Sequence, residues 1–263
     1  MTDFDAVADF DNGWDVEAVL VDGRWVDRTP RRPEVDAPLR REVALLPWLA
    51  PQLPLPVPKP DIVCEEPLTL RHALLVGEPC PGTSASHGAA VGEFLRALHA
   101  VDPLEAVRHG ALDAQSAFLS ARAIRDRMQR EVLPRVAGEL HAAAASLLGR
   151  MGQSVHEPRL VHGDLGPAHI RVDGDHVGGI IDWGDCCLGD PALDLAWVLH
   201  GSAPPFARAV RAAYRPESTV ERRSLDWRLL GPWHEVLYGL DLDEPDYVRS
   251  GMLGVETRLR LAS

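Results

Sequence analysis

Apolar residues between positions 160 and 199 fall in short runs separated by turn residues, a pattern that predicts a loop and a hairpin rather than one long helix. Residues 159–161 read as the end of a short strand and 162–168 as a loop. Residues 170–172 and 177–181 then pair across Asp173-Gly174-Asp175-His176, a turn rich in residues that accept positive φ. This folding brings Asp164 and Asp182 to one mouth, with His169 beside them. Asp182 ends the run Gly179-Ile180-Ile181, which places it at a strand terminus facing a cleft, while Trp183 packs inward. Asp190, followed by Pro191 and by apolar Leu193, Ala196, Trp197 and Leu199, reads as a structural helix cap.

Upstream, residues 18–21 and 24–28 form a second hairpin around Asp22-Gly23, and 37–49 a helix. Before them, Asp11-Asn12-Gly13-Trp14-Asp15 makes a tight turn that lacks the GxGxxG pattern, so taken alone it is a plain hairpin turn. The prolines at 54, 56, 58 and 60 favour an extended path. Residues 71–76 read as a further strand, broken by Gly77-Glu78-Pro79-Cys80-Pro81-Gly82. Helical spacing dominates afterwards: 89–99 carries Val91, Phe94, Leu95 and Leu98, and helices follow at 117–133 and 139–151. In the last third, Phe206, Tyr214, Trp227, Trp233 and Tyr238 either line a pocket or, more often for such residues, fill core. Asp241, Asp243, Glu244 and Asp246 form an acidic rim or, more simply, solvated loop charges.

The pair of carboxylates suits phosphoryl transfer, in which one carboxylate orients the attacking hydroxyl and others hold magnesium on the phosphates. Asp164 and Asp182 divide these roles naturally. The ordered set is His162-Gly163-Asp164, His169 five residues on, Ile181-Asp182-Trp183-Gly184-Asp185, Gly189-Asp190-Pro191 and Asp194-Leu195-Ala196. It resembles the aminoglycoside phosphotransferase family of kinase-like antibiotic-resistance enzymes. The resemblance implies an α+β, bilobal protein-kinase-like fold: a small β-rich nucleotide-binding lobe over 1–76, a hinge at 77–82 and a larger, mainly helical lobe over 83–263. It also implies that Asp164 is the catalytic base and that Asp182 binds Mg2+. His169 stands where the family usually has a magnesium-binding Asn. An imidazole offers nitrogen where magnesium prefers oxygen, but macrolide phosphotransferases resemble this chain in carrying His there, as they do along 24–33 and 39–58.

Kinases grip phosphates with a strand lysine paired to a helix glutamate. The one lysine here, Lys59, lies in the proline segment. The grip therefore falls to Arg28, with Glu42 as partner, since arginine keeps its charge and forks onto phosphate or carboxylate; Arg31 and Arg32 are equally well surface charges. By the same resemblance Gly13 would lie over the phosphates, and Leu75, Val76 and Gly77 would meet the base of ATP or GTP. The implied activity is transfer of the γ-phosphate to a hydroxyl of a small antibiotic, a macrolide first, then an aminoglycoside, nucleoside or peptide antibiotic. Two alternatives stand beside it: a metabolic kinase for a choline-, homoserine- or sugar-like substrate, and a catalytically silent nucleotide- or drug-binding protein, favoured by the absent strand lysine and by His169.

A chain of 263 residues, 46% hydrophobic, is long enough for two lobes. Its net charge of −12 argues against a nucleic-acid partner. No apolar run reaches membrane length and the start lacks signal-peptide character, which points to the cytoplasm. Four cysteines show neither metal spacing nor a disulfide framework.

Overall fold

The computed structural model describes residues 15–152 and 157–262. Gly13 lies outside the described residues. The amino-terminal lobe is a four-stranded antiparallel sheet of order β1-β2-β4-β3, made by β1 (Val16–Val21), β2 (Trp25–Pro30), β3 (Asp61–Glu65) and β4 (Leu68–Ala73). Alternation along β2 turns Val26 and Arg28 to the buried face, so a guanidinium is built into the lobe's interior. Helix α1 (Asp36–Leu49) buries Leu39, Glu42, Leu45, Leu46 and Leu49, a stripe at helical spacing that carries one carboxylate. Each buried charge demands a counter-charge.

The strand expected at 71–76 occupies Leu68–Ala73 instead. Its last paired residue is Ala73, opposite Trp25 where β2 begins, and only the Leu74 N–H bond to the Arg24 carbonyl at 2.8 Å lies beyond. Residues 74–77 run irregularly into β5 (Glu78–Pro79), which pairs with β7 of a three-stranded sheet, β5-β7-β8, formed with β7 (Ile170–Asp173) and β8 (His176–Ile180). The connection at 74–77 lies close over β8. A Cβ at Gly178 would stand 2.5 Å from the Val76 carbonyl oxygen, and one at Gly179 2.8 Å from Leu75 Cδ1, so only glycines admit this approach.

The carboxy-terminal lobe contains α2 (Ala85–His99), α3 (Pro103–Arg108), α4 (Ala114–Arg127), α5 (His141–Arg150), α6 (Ala192–His200), α7 (Pro204–Tyr214), α8 (Ser218–Asp241) and α9 (Pro245–Ala262). It also holds the short pair β6 (Arg159–Val161) and β9 (Cys187–Gly189). The helix expected over 117–133 is α4, started earlier by the Asp113 carboxylate, which accepts from the Gln115 and Ser116 N–H groups, and followed by a π turn at Met128–Val132. The main core joins Leu45, Leu46 and Leu49 of α1 to Phe94, Leu95, Leu160, Ile180 and Trp183. The β7–β8 hairpin is thus packed from both lobes. A second core unites α5, α8 and α9 around Trp233 and Val255. Phe206 and Trp233 are fully buried, which removes them from any pocket wall.

Candidate active site

His162-Gly163-Asp164 follows β6 and turns sharply. Gly163 has φ +93°, and a Cβ there would stand 2.4 Å from the Asp185 carbonyl oxygen, so the loop requires glycine. The loop is held from below by Asp194, a fully buried carboxylate at the start of α6. It accepts from the His162 N–H at 2.8 Å, the Gly163 N–H at 3.0 Å and His99 Nε2 at 3.0 Å. Burial pushes the Asp194 carboxyl up, but the bond from His99, the charges of His99 and His162 and the Gly163 N–H outweigh it and hold it below the usual carboxylate range. His99 Nδ1 lies 2.8 Å from the Tyr214 hydroxyl. Tyr214 therefore supports this brace rather than a pocket. His162 Nε2 donates to the Ile181 carbonyl at 2.9 Å, tying the loop to the strand end that carries Asp182.

Asp164, its side chain 66% exposed, stands at the mouth. His169 Nδ1 is 2.6 Å from the Asp164 carbonyl oxygen. A carbonyl only accepts, so Nδ1 carries a proton. Nε2 lies 3.4 Å from Asp182 Oδ2, and Nδ1 3.6 Å from Asp164 Oδ2. Asp182 itself has φ +65°, an uncommon backbone setting for a residue with a side chain and one that clusters at functional sites. Burial would raise its carboxyl, but Arg28 chiefly, with His169 and His162, holds it below the usual range. Asp185 is pushed up to about 6, by burial and then by the carboxylates of Asp164, Asp182 and Asp15. Sequence reasoning placed Asp185 in the motif without giving it a part in the site.

Arg28 forks between the lobes, with Nη1 2.5 Å from Glu42 Oε2 and Nη2 3.2 Å from Asp182 Oδ1. Burial opposes the charge on its guanidinium, and the two carboxylates restore it. The expected pairing of Arg28 with Glu42 is present; its reach to Asp182 was not visible in the sequence, because 154 residues separate the two. Leu75, Val76 and Gly77 lie on the connection between the lobes, and the Gly77 carbonyl accepts from Arg171 Nη2. Arg32 pairs with Asp15, and Asp241 with Arg127, which also holds Glu131. The rim is therefore partly neutralised.

Magnesium fits this donor set. Two ligands about 2.1 Å from one ion at near-octahedral angles lie roughly 3 Å apart, close to the 3.4 Å between His169 Nε2 and Asp182 Oδ2. Among the described residues no group of three His, Cys, Asp or Glu side chains converges as in a dedicated metal cage. Such sparse ligation suits an ion held mainly by substrate phosphates.

This fold has counterparts among known proteins. The GDP and kanamycin complex of APH(2″)-IIIa superposes with a TM-score of 0.85 at 21% identity, covering 98% of this chain and 94% of that one, and so shares the fold. The macrolide 2′-phosphotransferase of Brachybacterium faecium, as apoenzyme, superposes at 0.72 with 25% identity over 93% of this chain and 89% of its own. A homoserine kinase of Allorhizobium ampelinum is 31% identical over 155 residues, 56% of this chain, and the match spans about half, 47%, of that kinase. Residues 7–227 match the phosphotransferase enzyme family, APH, a stretch that includes both lobes and the β7–β8 hairpin, and the chain belongs to that family.

Proposed function

We propose that this phosphotransferase moves the γ-phosphate of ATP or GTP to a hydroxyl of a small molecule, a macrolide antibiotic first, and so inactivates it. The observation that carries the reading is one unbroken chain of ionisable side chains from α1 to the Asp164 loop: Glu42 to Arg28 at 2.5 Å, Arg28 to Asp182 at 3.2 Å, Asp182 to His169 at 3.4 Å and His169 to Asp164 at 3.6 Å. In this reading Asp164 orients the acceptor hydroxyl and takes its proton late in transfer. Arg28, braced by Glu42, releases one fork to the phosphates when nucleotide arrives, while His169 and Asp182 hold Mg2+. The ion would neutralise charge developing on the transferred group. Residues 77–82 act as hinge, and Leu75, Val76 and Gly77 meet the base through their backbone.

Macrolides are favoured over aminoglycosides on two grounds. Two macrolide 2′-phosphotransferases match at 25% identity, and Asp241 and Glu131 are both engaged by Arg127, which leaves fewer free carboxylates for a polycation. A nucleotide donor is supported by the GDP, ADP and ATP complexes among the similar structures. The homoserine kinase match supports a second reading, a metabolic hydroxyl kinase. No helix among the described residues is long and apolar enough to cross a membrane, and a cytoplasmic site of action is part of the proposal. Incubation with Mg2+, ATP or GTP, and a panel of macrolides, aminoglycosides and homoserine, followed by mass spectrometry, tests the assignment. A macrolide gaining one phosphate supports it; phosphohomoserine alone selects the second reading; no phosphorylated product with any acceptor refutes both.

A further inference from the structure

Arg28 and Glu42 form a buried ion pair, with side chains 9% and 1% exposed, yet the pairing is incomplete. One bond joins them, from Arg28 Nη1 to Glu42 Oε2 at 2.5 Å. Glu42 Oε1 is buried and has no hydrogen-bond partner among the described residues. A guanidinium carries five N–H donors and can fork onto both oxygens of a carboxylate, the strongest pairing open to either group. Arg28 does not take it. Its Nη2 reaches across to Asp182 Oδ1 instead, at a longer 3.2 Å.

A buried carboxylate oxygen without a donor is unfavourable. The bond to Asp182 is therefore held against a competing, complete pairing of Arg28 with Glu42. Gly184 keeps that competition open. A Cβ there would stand 3.7 Å from Glu42 Oε1 and 4.0 Å from Asp182 Oδ1, and no other heavy atom of the described residues outside 183–185 comes within 4 Å of it. Glycine thus leaves both carboxylates to the guanidinium, with no side chain of its own to satisfy either.

Asp182 bears the consequence. Its Oδ1 accepts from Arg28, and its Oδ2 stands 3.4 Å from His169 Nε2. A fixed cation of the protein already neutralises the carboxylate that a divalent ion would need. Arg28 comes from β2 and Asp182 follows β8, so the same bond ties the two lobes together.

We infer, resting on the reading that Asp182 holds Mg2+, that the bond from Arg28 to Asp182 is an autoinhibitory latch. It keeps a divalent ion off Asp182 until nucleotide arrives, and on release Arg28 closes onto the free Oε1 of Glu42. Two N–H groups on Glu42 leave others of the guanidinium for phosphate. Phosphate oxygens draw Nη2 away and bring further ligands for the ion, so nucleotide and ion favour the same released state and enter together.

The test reads ion binding without turnover. Mn2+, which shares the carboxylate preference of Mg2+ and is visible by electron paramagnetic resonance, is titrated into the full chain without nucleotide. Arg28→Gln keeps an amide donor for Glu42 and removes the cation. It should bind Mn2+ at least ~10-fold more tightly than wild type, the effect of one competing charge-assisted bond. Gly184→Ala and Gly184→Ser probe the release without changing charge, and the ordinary contact distances at that position let both fold. The serine hydroxyl can donate to Glu42 Oε1 and so close the position to which Arg28 turns. Gly184→Ser should therefore bind Mn2+ about 10-fold more weakly than Gly184→Ala, which should match wild type. Arg28→Gln binding no more tightly than wild type, or equal affinities in the two folded Gly184 variants, overturns the latch. With ADP present, Asp182→Asn should weaken Mn2+ binding at least ~10-fold. If it does not, the ion reading falls and the latch with it; if it does while Arg28→Gln binds like wild type without nucleotide, the latch alone falls.

Discussion

Replacing Asp194 by Ala should remove the support of the Asp164 loop without changing any side chain at the mouth. The carboxylate is fully buried and receives three donors: the His162 and Gly163 N–H groups at 2.8 and 3.0 Å and His99 Nε2 at 3.0 Å. Each buried donor left without an acceptor costs about 1–3 kcal/mol, and breaking a buried charged cluster about 3–5 kcal/mol. We expect a loss of about 3–5 kcal/mol, a fall in melting temperature of roughly 10 °C for a chain of this size. Asp194→Asn keeps one acceptor oxygen and turns an NH2 toward a donor, so it should lose less. The carboxyl is held below its unfolded value near 3.9. Its contribution is therefore complete above that value and is lost as pH falls through the lower folded one. Chemical denaturation between pH 3 and 8 should show the gap between wild type and Asp194→Asn constant at neutral pH and closing in acid. A melting temperature for Asp194→Ala within about 2 °C of wild type would refute the brace.

Arg28→Ala should cost about 3–5 kcal/mol because it leaves buried Glu42 uncompensated, whereas Arg28→Lys, which cannot fork, should fold and raise the nucleotide KM; equal KM values would count against a phosphate grip. Gly163→Ala drives a Cβ to 2.4 Å from the Asp185 carbonyl oxygen at φ +93°, and a displacement of this order should lower kcat by roughly 100-fold, measured by nucleotide diphosphate release. His169→Asn, which returns an oxygen ligand, should keep magnesium-dependent turnover, while His169→Ala should raise the magnesium needed for half-maximal rate by at least ~10-fold. Identical magnesium curves for the two variants would remove His169 from the ion.

The hairpin that carries the site was legible because its signals are local: Gly174 at φ +55° turns β7 into β8, and the apolar run ends at Asp182. The pairing of Arg28 with Glu42 was legible for a related reason, one charge on the inward face of a strand and one on the buried stripe of the next helix. That Asp194 braces the loop was legible from its place in the motif, but what supports Asp194 from behind was not. His99, 95 residues away in an apolar helix face, gives only the signal of a lone polar residue among buried ones, and nothing local ties it to Tyr214 or Asp194. The end of β4 was misplaced because residues 74–76 are apolar in sequence, while the ladder needs a partner that β2 stops providing at Trp25. Trp233 and Phe206 read as pocket candidates because aromatic side chains look alike in sequence whether they face a core or a ligand.

The account turns on Asp164 and Asp182 acting on one phosphate from opposite sides of the mouth. Single-turnover transfer from γ-labelled nucleotide to the acceptor identified in the panel, in wild type, Asp164→Ala and Asp182→Asn, each shown to melt cooperatively, tests this most directly. The account predicts labelled product with the wild type and none above background with either folded variant; labelled product from both variants would contradict it.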